Sequence, residues 1–234
     1  ECVDADDDGY GAGCDLGVDC NDTSADAHPG GWELPGDGLD NDCVAGDAAV
    51  SEVYGVFLAP GGDDTYAGTP EAPVASLAVA LTKAESTNRV VFAAGGTYAV
   101  GGEQIRADVF GGFDPVSWAR DLDTWPTTFE VGYQFDYSLA PKVPKNAVAF
   151  LDGVRFVGLA DDEVMACSAL VVQGTCRLAR SEILGCDAGR DSYGVNNEGV
   201  MTVIDSTVTS GSGHRFCKGI SNDGVGDLTV LSST

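Results

Sequence analysis

The sequence predicts an all-β chain: a stack of short strands, a β-solenoid, preceded by a small acidic module stapled by disulfides. Three observations carry this. First, the second half repeats itself. Gly174 is followed by Thr-Cys-Arg-Leu-Ala-Arg-Ser-Glu-Ile, Gly199 by Val-Met-Thr-Val-Ile-Asp-Ser-Thr-Val, and Gly226 by Asp-Leu-Thr-Val-Leu-Ser-Ser-Thr. Leu178, Val203 and Val230 fall at matching places, as do Ser181, Ser206 and Ser233; the spacing is 25 residues from 174 to 199 and 27 from 199 to 226. A strand with one apolar stripe cannot bury itself, and stacking successive coils buries it. Second, glycine is high, at 32 of 234 residues, as turn-rich β architectures require. Third, an acidic stretch at the start of the chain lacks the apolar periodicity of a core and carries four of the eight cysteines.

Charge narrows the partners. The chain has 37 acidic against 12 basic residues, a net charge of −25, so nucleic acid and anionic membrane are excluded as natural partners and cations are favoured. The cysteines number eight, four before residue 44 and four after 166, with no Cys-x-x-Cys pair. That argues against a zinc ribbon and for disulfides made in an oxidising compartment. No apolar run approaches the ~20 residues of a membrane-spanning helix. The chain opens at Glu1-Cys2, inside a motif and without a signal peptide, and so reads as a processed product or a fragment.

The acidic module is expected over residues 1–50. Asp4-Ala-Asp6-Asp-Asp8-Gly9-Tyr10-Gly-Ala-Gly-Cys-Asp15 fits the EF-hand calcium loop: carboxylates at positions one, three and five, glycine at six, the Tyr10 carbonyl at seven and Asp15 at twelve, where Glu is usual. Calcium takes six to eight oxygens, and alternate carboxylates on a tight loop converge on one point. The flanks are glycine and cysteine, so a helix–loop–helix sensor is not expected. A second acidic cluster follows in Asp19-Cys-Asn21-Asp22, Glu33, and Asp37-Gly-Leu-Asp40-Asn-Asp42-Cys43. A module this small with so little apolar surface needs staples. Three pairings of its cysteines are possible; Cys2–Cys14 and Cys20–Cys43 are favoured because each closes a loop around one acidic cluster.

These residues carry a resemblance. Cys-x-Asp-x-Asp-x-Asp-Gly-Tyr-Gly, Asp-Cys-Asn-Asp, His-Pro-Gly and Glu-Leu-Pro-Gly-Asp-Gly-Leu-Asp-Asn-Asp-Cys, over residues 1–47, resemble the metal-binding repeat of secreted bacterial surface proteins, akin to thrombospondin type 3 and dockerin calcium loops. The resemblance implies Asp4, Asp6, Asp8 and Asp15 as first-site ligands and Asp22, Glu33, Asp37, Asp40 and Asp42 as second-site ligands. It also implies an extracellular or bacterial cell-surface location. Such repeats close with Asp-Cys-Asp-Gly, whereas Val44 and Ala45 follow Cys43 here, leaving Asp47 as the substitute. Copper is associated with the family name. His28 is the single histidine of the region, so the residues give copper little support, and His28 before Pro29-Gly30 reads as a loop residue.

The solenoid is expected over residues 51–234. Val53-Tyr-Gly-Val-Phe-Leu-Ala is a first strand, residues 60–73 a Gly/Pro-rich loop, and residues 75–86 a helix with Leu77, Leu81 and Ala84 on one face and Ser76 as N-cap. Asn88-Arg-Val-Val-Phe-Ala-Ala returns to a strand, and Val109-Phe-Gly-Gly-Phe reads as a further rung with Gly111-Gly112 at a corner. Uncovered, a solenoid end exposes apolar side chains and unpaired backbone, which gives the helix its purpose as a cap. Strand, Gly-Thr-x-x-x-Pro loop, helix, strand, Gly-Gly-Thr-Tyr is similar to the opening of secreted pectin-lyase-like proteins. The later Gly-Val-x-Asn-x-Gly…Thr-Val-x-x-Ser-Thr-Val pattern resembles right-handed parallel β-helix rungs. Ala147–Phe156 begins the regular series, and Asn196, Asn197, Asn222 and Asp223 are expected at a repeated corner, where left-handed backbone and side-chain ladders suit asparagine. The favoured pairs in this half are Cys167–Cys176 and Cys186–Cys217.

Candidate chemistry on the solenoid is sparse. Trp118, Trp125, Phe129, Tyr133, Phe135 and Tyr137 read as aromatics packed on the coil rather than as a sugar platform. His214, Arg215 and Lys218 are the one basic cluster of the second half, but no paired carboxylates stand at rung spacing. Asp187 and Asp205 are isolated, and Arg177 and Arg180 are expected to face solvent from a strand. The expected function is therefore a calcium-stabilised structural or adhesive module and not an enzyme; the alternative is a polysaccharide lyase, glycoside hydrolase or glycan-binding module. The sequence stops at Ser233-Thr234 in mid-rung, so copies of the chain, stacking into a filament, or the remainder of a longer chain are the expected partners at that end.

Overall fold

A computed structural model describes residues 1–132, 140–159, 166–186, 191–212, 216–222 and 226–233. The chain divides into two compact units, Glu1–Tyr54 and Gly55–Thr234. The first has no helix or extended strand; its one backbone bridge joins Val3 and Ala12 antiparallel. Its order comes from turns, carboxylate–amide hydrogen bonds and the disulfides Cys2–Cys14 and Cys20–Cys43.

The second unit is a parallel β-solenoid. In chain order its elements are β1 (Gly55–Leu58), α1 (Leu77–Thr87), β2 (Val90–Ala94), β3 (Gly96–Val100), β4 (Val109–Phe113), β5 (Thr127–Val131), β6 (Lys142–Val143), β7 (Val148–Asp152) and β8 (Val154–Gly158). There follow β9 (Ala166–Val172), β10 (Thr175–Ala179), β11 (Glu182–Leu184), β12 (Asp191–Asn197), β13 (Val200–Ile204), β14 (Thr207–Thr209), β15 (Phe216–Asn222) and β16 (Asp227–Leu231). Three parallel sheets result, ordered β1-β2-β4-β7-β10-β13-β16, β3-β5-β8-β11-β14 and β6-β9-β12-β15. From β4 onward every third strand returns to the same sheet, which is the signature of a coil. The repeat read from the sequence lies in register: Leu178 opposes Val203, and Val203 opposes Val230.

The inner columns form one apolar core, including Val56, Val91, Leu151, Leu178 and Val203. The buried face of α1 (Leu77, Ala80, Leu81 and Ala84) belongs to that same core, so the helix covers the β1 end of the coil. Ser76 caps it by accepting a hydrogen bond from the Val79 amide at 3.3 Å. Asn88 closes it in the left-handed region, φ 51°. At the other end Val230 and Leu231 are about half exposed, although Val203, in register beside Val230, is buried.

The corners differ from expectation. Asn196 and Asn197 end β12, and Asn222 ends β15, with no left-handed backbone at any of them; Asp223 lies outside the described residues. The asparagines do ladder through side chains, as expected: Asn197 Nδ2 donates to Asn222 Oδ1 at 2.7 Å. The left-handed corner is the next one along the coil, where Gly153, Arg180, Asp205 and Ser232 have φ of 65°, 44°, 45° and 46°. One or two residues turn the chain there, and even Arg180 and Ser232 take the left-handed conformation, so the tightness of the connection, more than side-chain preference, selects it. The serines after it form a column. Ser181 Oγ receives the Val154 amide at 3.1 Å, Ser206 Oγ the Ser181 amide at 3.1 Å, and Ser233 Oγ the Ser206 amide at 3.2 Å.

Gly111 and Gly112 lie inside β4, not at a corner. The register to β2 shifts there, as in a β-bulge, and a Cβ on Gly111 would meet the Gly153 carbonyl and the Thr127 side chain. The second pair of favoured disulfides is also corrected: Cys167 bonds Cys186, while Cys176 and Cys217 lie outside any disulfide. Cys176 is an inward residue of β10, in register with Ala149 and Met201 and fully buried. Burial, with the Asp108 charge adding, pushes its thiol up to about 12.

Candidate metal centre

The first acidic loop is wound by its own carboxylates. Asp4 Oδ1 accepts from the Asp7 amide at 2.7 Å and Oδ2 from the Gly9 amide at 2.9 Å. Gly9 has φ 94°, a conformation that side chains disfavour, so the glycine at position six is where the loop turns. Asp6 Oδ1 and Asp8 Oδ1 receive the amides of Asp8 and Tyr10. The carboxylates of Asp4, Asp6 and Asp8 come within 4.8 Å of one another. The remaining oxygens, Asp6 Oδ2 and Asp8 Oδ2, are buried and accept no hydrogen bond; Asp19 Oδ2 is in the same condition. Burial pushes the Asp6 carboxyl above its ordinary value, and the charges of Asp8, Asp19 and Asp4 push the same way. Buried carboxylate oxygens without donors are costly unless a cation satisfies them.

The membership of this cluster departs from the loop template. Asp15 is exposed and outside the group of Asp4, Asp6 and Asp8. Left-handed glycines at 11, 13 and 17, with Gly11 donating to the Gly17 carbonyl at 2.9 Å, turn the chain before a twelfth position can close. Asp22, expected in the second cluster, lies against the first loop, its Oδ1 accepting from the Ala5 amide at 3.3 Å. Asp19 went unassigned as a ligand because it stands outside the loop's spacing; the signal was its place directly before Cys20, in the same short acidic run as Asp22.

The second cluster is Glu33, Asp40 and Asp42, again within 4.8 Å. Its carboxylates are largely taken up by backbone amides. Glu33 accepts from Ala48 at 2.8 Å and Asn41 at 2.9 Å, Asp40 from Val44 at 2.8 Å and Gly46 at 3.0 Å, and Asp42 from Val44 at 2.8 Å. Burial raises the Glu33 carboxyl, amide donors oppose this, and Asp42 adds to it. Asp37 stands beside the cluster, bonded to the Leu39 amide and the Asn41 side chain. Asp47 is not drawn in; it ties the amides of Gly36 and Gly38. A third grouping, Asp19 with Cys20 and Cys43, offers no thiolate because the two sulfurs are bonded to each other.

The donor set is almost wholly oxygen, which suits a hard cation and fits soft copper chemistry poorly. The one imidazole, His28, stacks on the Tyr10 ring with centroids 4.8 Å apart and planes 8° apart.

On the solenoid, Arg180 is a corner residue that donates to Asp152 at 2.7 and 3.0 Å, and Arg177 lies 4.9 Å over the Phe150 ring; neither is a free strand cation. Asp152 is fully buried and also bonded by Arg120. Trp118 packs edge-on to Phe57 at 4.5 Å, and Phe129 sits in the core against Tyr98 and Phe156, as packing residues do. Trp125 is half-buried with its backbone against Gly95. Lys218 lies on β15 in register with Tyr193. Tyr133, Phe135, Tyr137, Asp187, His214 and Arg215 fall outside the described residues.

Fold and site together define a parallel β-solenoid accompanied by a disulfide-tied acidic unit with oxygen clusters able to hold a metal. Consistent with that class, residues 19–47 match the family model named Cu-binding_MopE and described as "Putative metal-binding motif". No curated protein and no solved structure matches the chain. Among the described residues no helix is long and apolar enough to cross a membrane.

Proposed function

We propose that the chain is a calcium-stabilised structural or adhesive module of a secreted or cell-surface protein. The observation that carries the reading is the set of three buried, donorless carboxylate oxygens on Asp6, Asp8 and Asp19. Asp6 and Asp8, with Asp4 and Asp19 close by, would hold the first cation; Glu33, Asp40 and Asp42, with Asp37 alongside, a second. A bound calcium would supply charge neutralisation and rigidity, since a unit without a helix, an extended strand or an apolar core gains its order from cross-links. Calcium is favoured over copper by the oxygen donors. Three disulfides support an oxidising, extracellular setting. Because α1 covers the β1 end of the coil, the β16 end is where copies of the chain, or the remainder of a longer one, would stack.

The test compares chelator-stripped and calcium-loaded protein. Calcium should raise the unfolding temperature of Glu1–Tyr54 and slow its proteolysis, and the Asp6→Asn/Asp8→Asn variant should lose most of that gain. Equal stability in calcium and in excess EDTA would remove the calcium reading.

A further inference from the structure

We infer that Asn41 is the positioning residue of the second carboxylate cluster, a buried residue whose main-chain amide holds Glu33 and whose side chain holds Asp37 and the Leu34 amide beside Glu33 before a cation arrives. The inference rests on the cation reading above. Asn41 has no solvent exposure, the one polar side chain of Glu1–Tyr54 so buried. Each of its hydrogen-bonding groups has a partner. Its amide donates to Glu33 Oε2 at 2.9 Å, and its Nδ2 donates to Asp37 Oδ2 at 3.4 Å and to the Asp26 carbonyl at 3.1 Å. Its Oδ1 receives the Leu34 amide at 2.9 Å and its carbonyl the His28 amide at 3.1 Å. It thus ties two separate turns, around residues 26–28 and 33–37, to the acids at 40 and 42. A Cβ on Gly31 would collide with the Asn41 carbonyl, so the chain wraps closely around this residue.

Asparagine is required by both halves of its amide. Aspartate has the same shape but no Nδ2 donors, and it would set a carboxylate against Asp37 Oδ2 and the Asp26 carbonyl. It would also add a negative charge beside the cluster. If charge alone governed affinity, Asn41→Asp would bind calcium more tightly. If Asn41 acts by position, the same change weakens binding, as loss of an outer partner of a metal ligand commonly does by about 10–100-fold.

The experiment is calcium titration by calorimetry in the Asp6→Asn/Asp8→Asn background, where the second cluster is left to report. With Asn41 intact we expect binding, and with Asn41→Asp or Asn41→Ala about tenfold weaker binding or less. Unchanged or tighter binding by Asn41→Asp overturns the proposal alone; no binding with Asn41 intact overturns the cation reading of this cluster and the proposal with it. Should the variants fail to form Cys20–Cys43, the unaltered protein decides. In the chelator-stripped state the Asn41 side-chain amide protons should exchange slowly by NMR, before calcium is added. Exchange as fast as an exposed amide, with protection appearing only on calcium addition, would mean that the cation orders Asn41 and would overturn the proposal.

Discussion

Ser206 shows what one hydroxyl does in a coil. It accepts the Ser181 amide and donates to the Ile204 carbonyl at 2.7 Å, bridging two coils at a corner where sheet hydrogen bonding stops. Ser206→Ala should destabilise the solenoid by about 1–3 kcal/mol, the cost of a buried amide left without an acceptor; urea unfolding checks this. The serine column was legible in the sequence as a repeated residue, but its task was not, because sequence spacing does not say which way a side chain points. The asparagines illustrate the reverse. Their column was legible, and the left-handed backbone assigned to them belongs to the next corner, at Gly153, Arg180, Asp205 and Ser232, of which arginine and serine have no special propensity for it.

Elements are secured by charges placed at their ends. Asp152, at the end of β7, receives Arg180 from the following coil and Arg120 from the segment between β4 and β5. Asp152→Ala would leave the largely buried Arg120 without its counter-ion, and unfolding should become easier by about 3 kcal/mol. Asp64 plays a smaller part at α1, accepting the amides of Ala75 and Ser76 at 3.0 and 2.8 Å. Burial pushes its carboxyl up, but the Ser76 hydroxyl and these amides pull it further down, below its ordinary 3.8. A carboxyl lowered in the folded state contributes stability above its ordinary value and loses it as the pH falls through the lowered one. The melting-temperature gap between the parent and Asp64→Ala should therefore be full at neutral pH and close below pH 3.8. The helix was legible down to its Ser76 cap, since cap and apolar face are local signals. Arg120–Asp152 was not, because the partners are 32 residues apart in sequence and Arg120 belongs to no repeat.

At the scale of the molecule, two units solve one problem differently. The solenoid buries its stripes by stacking, and the 25- and 27-residue repeat declared that in advance. The acidic unit has no stripe to bury and relies on disulfides and, in our account, on cations. The convergence of the Asp4, Asp6 and Asp8 carboxylates, which share one short loop, was legible. The places of Asp15, Asp19 and Asp22 were not, because they depend on where three left-handed glycines send the chain. The two clusters should also differ in strength. The first leaves carboxylate oxygens without donors, while the second already satisfies most of its own with amides. Calcium titration should thus resolve a tighter site, removed by Asp6→Asn/Asp8→Asn, and a weaker one that survives.

The most direct measurement is limited proteolysis of the full chain, mapped by mass spectrometry, in EDTA, calcium and copper. The account predicts cleavage within Glu1–Tyr54 in EDTA, suppression by calcium, and loss of most of that suppression in Asp6→Asn/Asp8→Asn, with the solenoid's cleavage unchanged throughout. Identical cleavage in EDTA and calcium, or protection by copper alone, would contradict it.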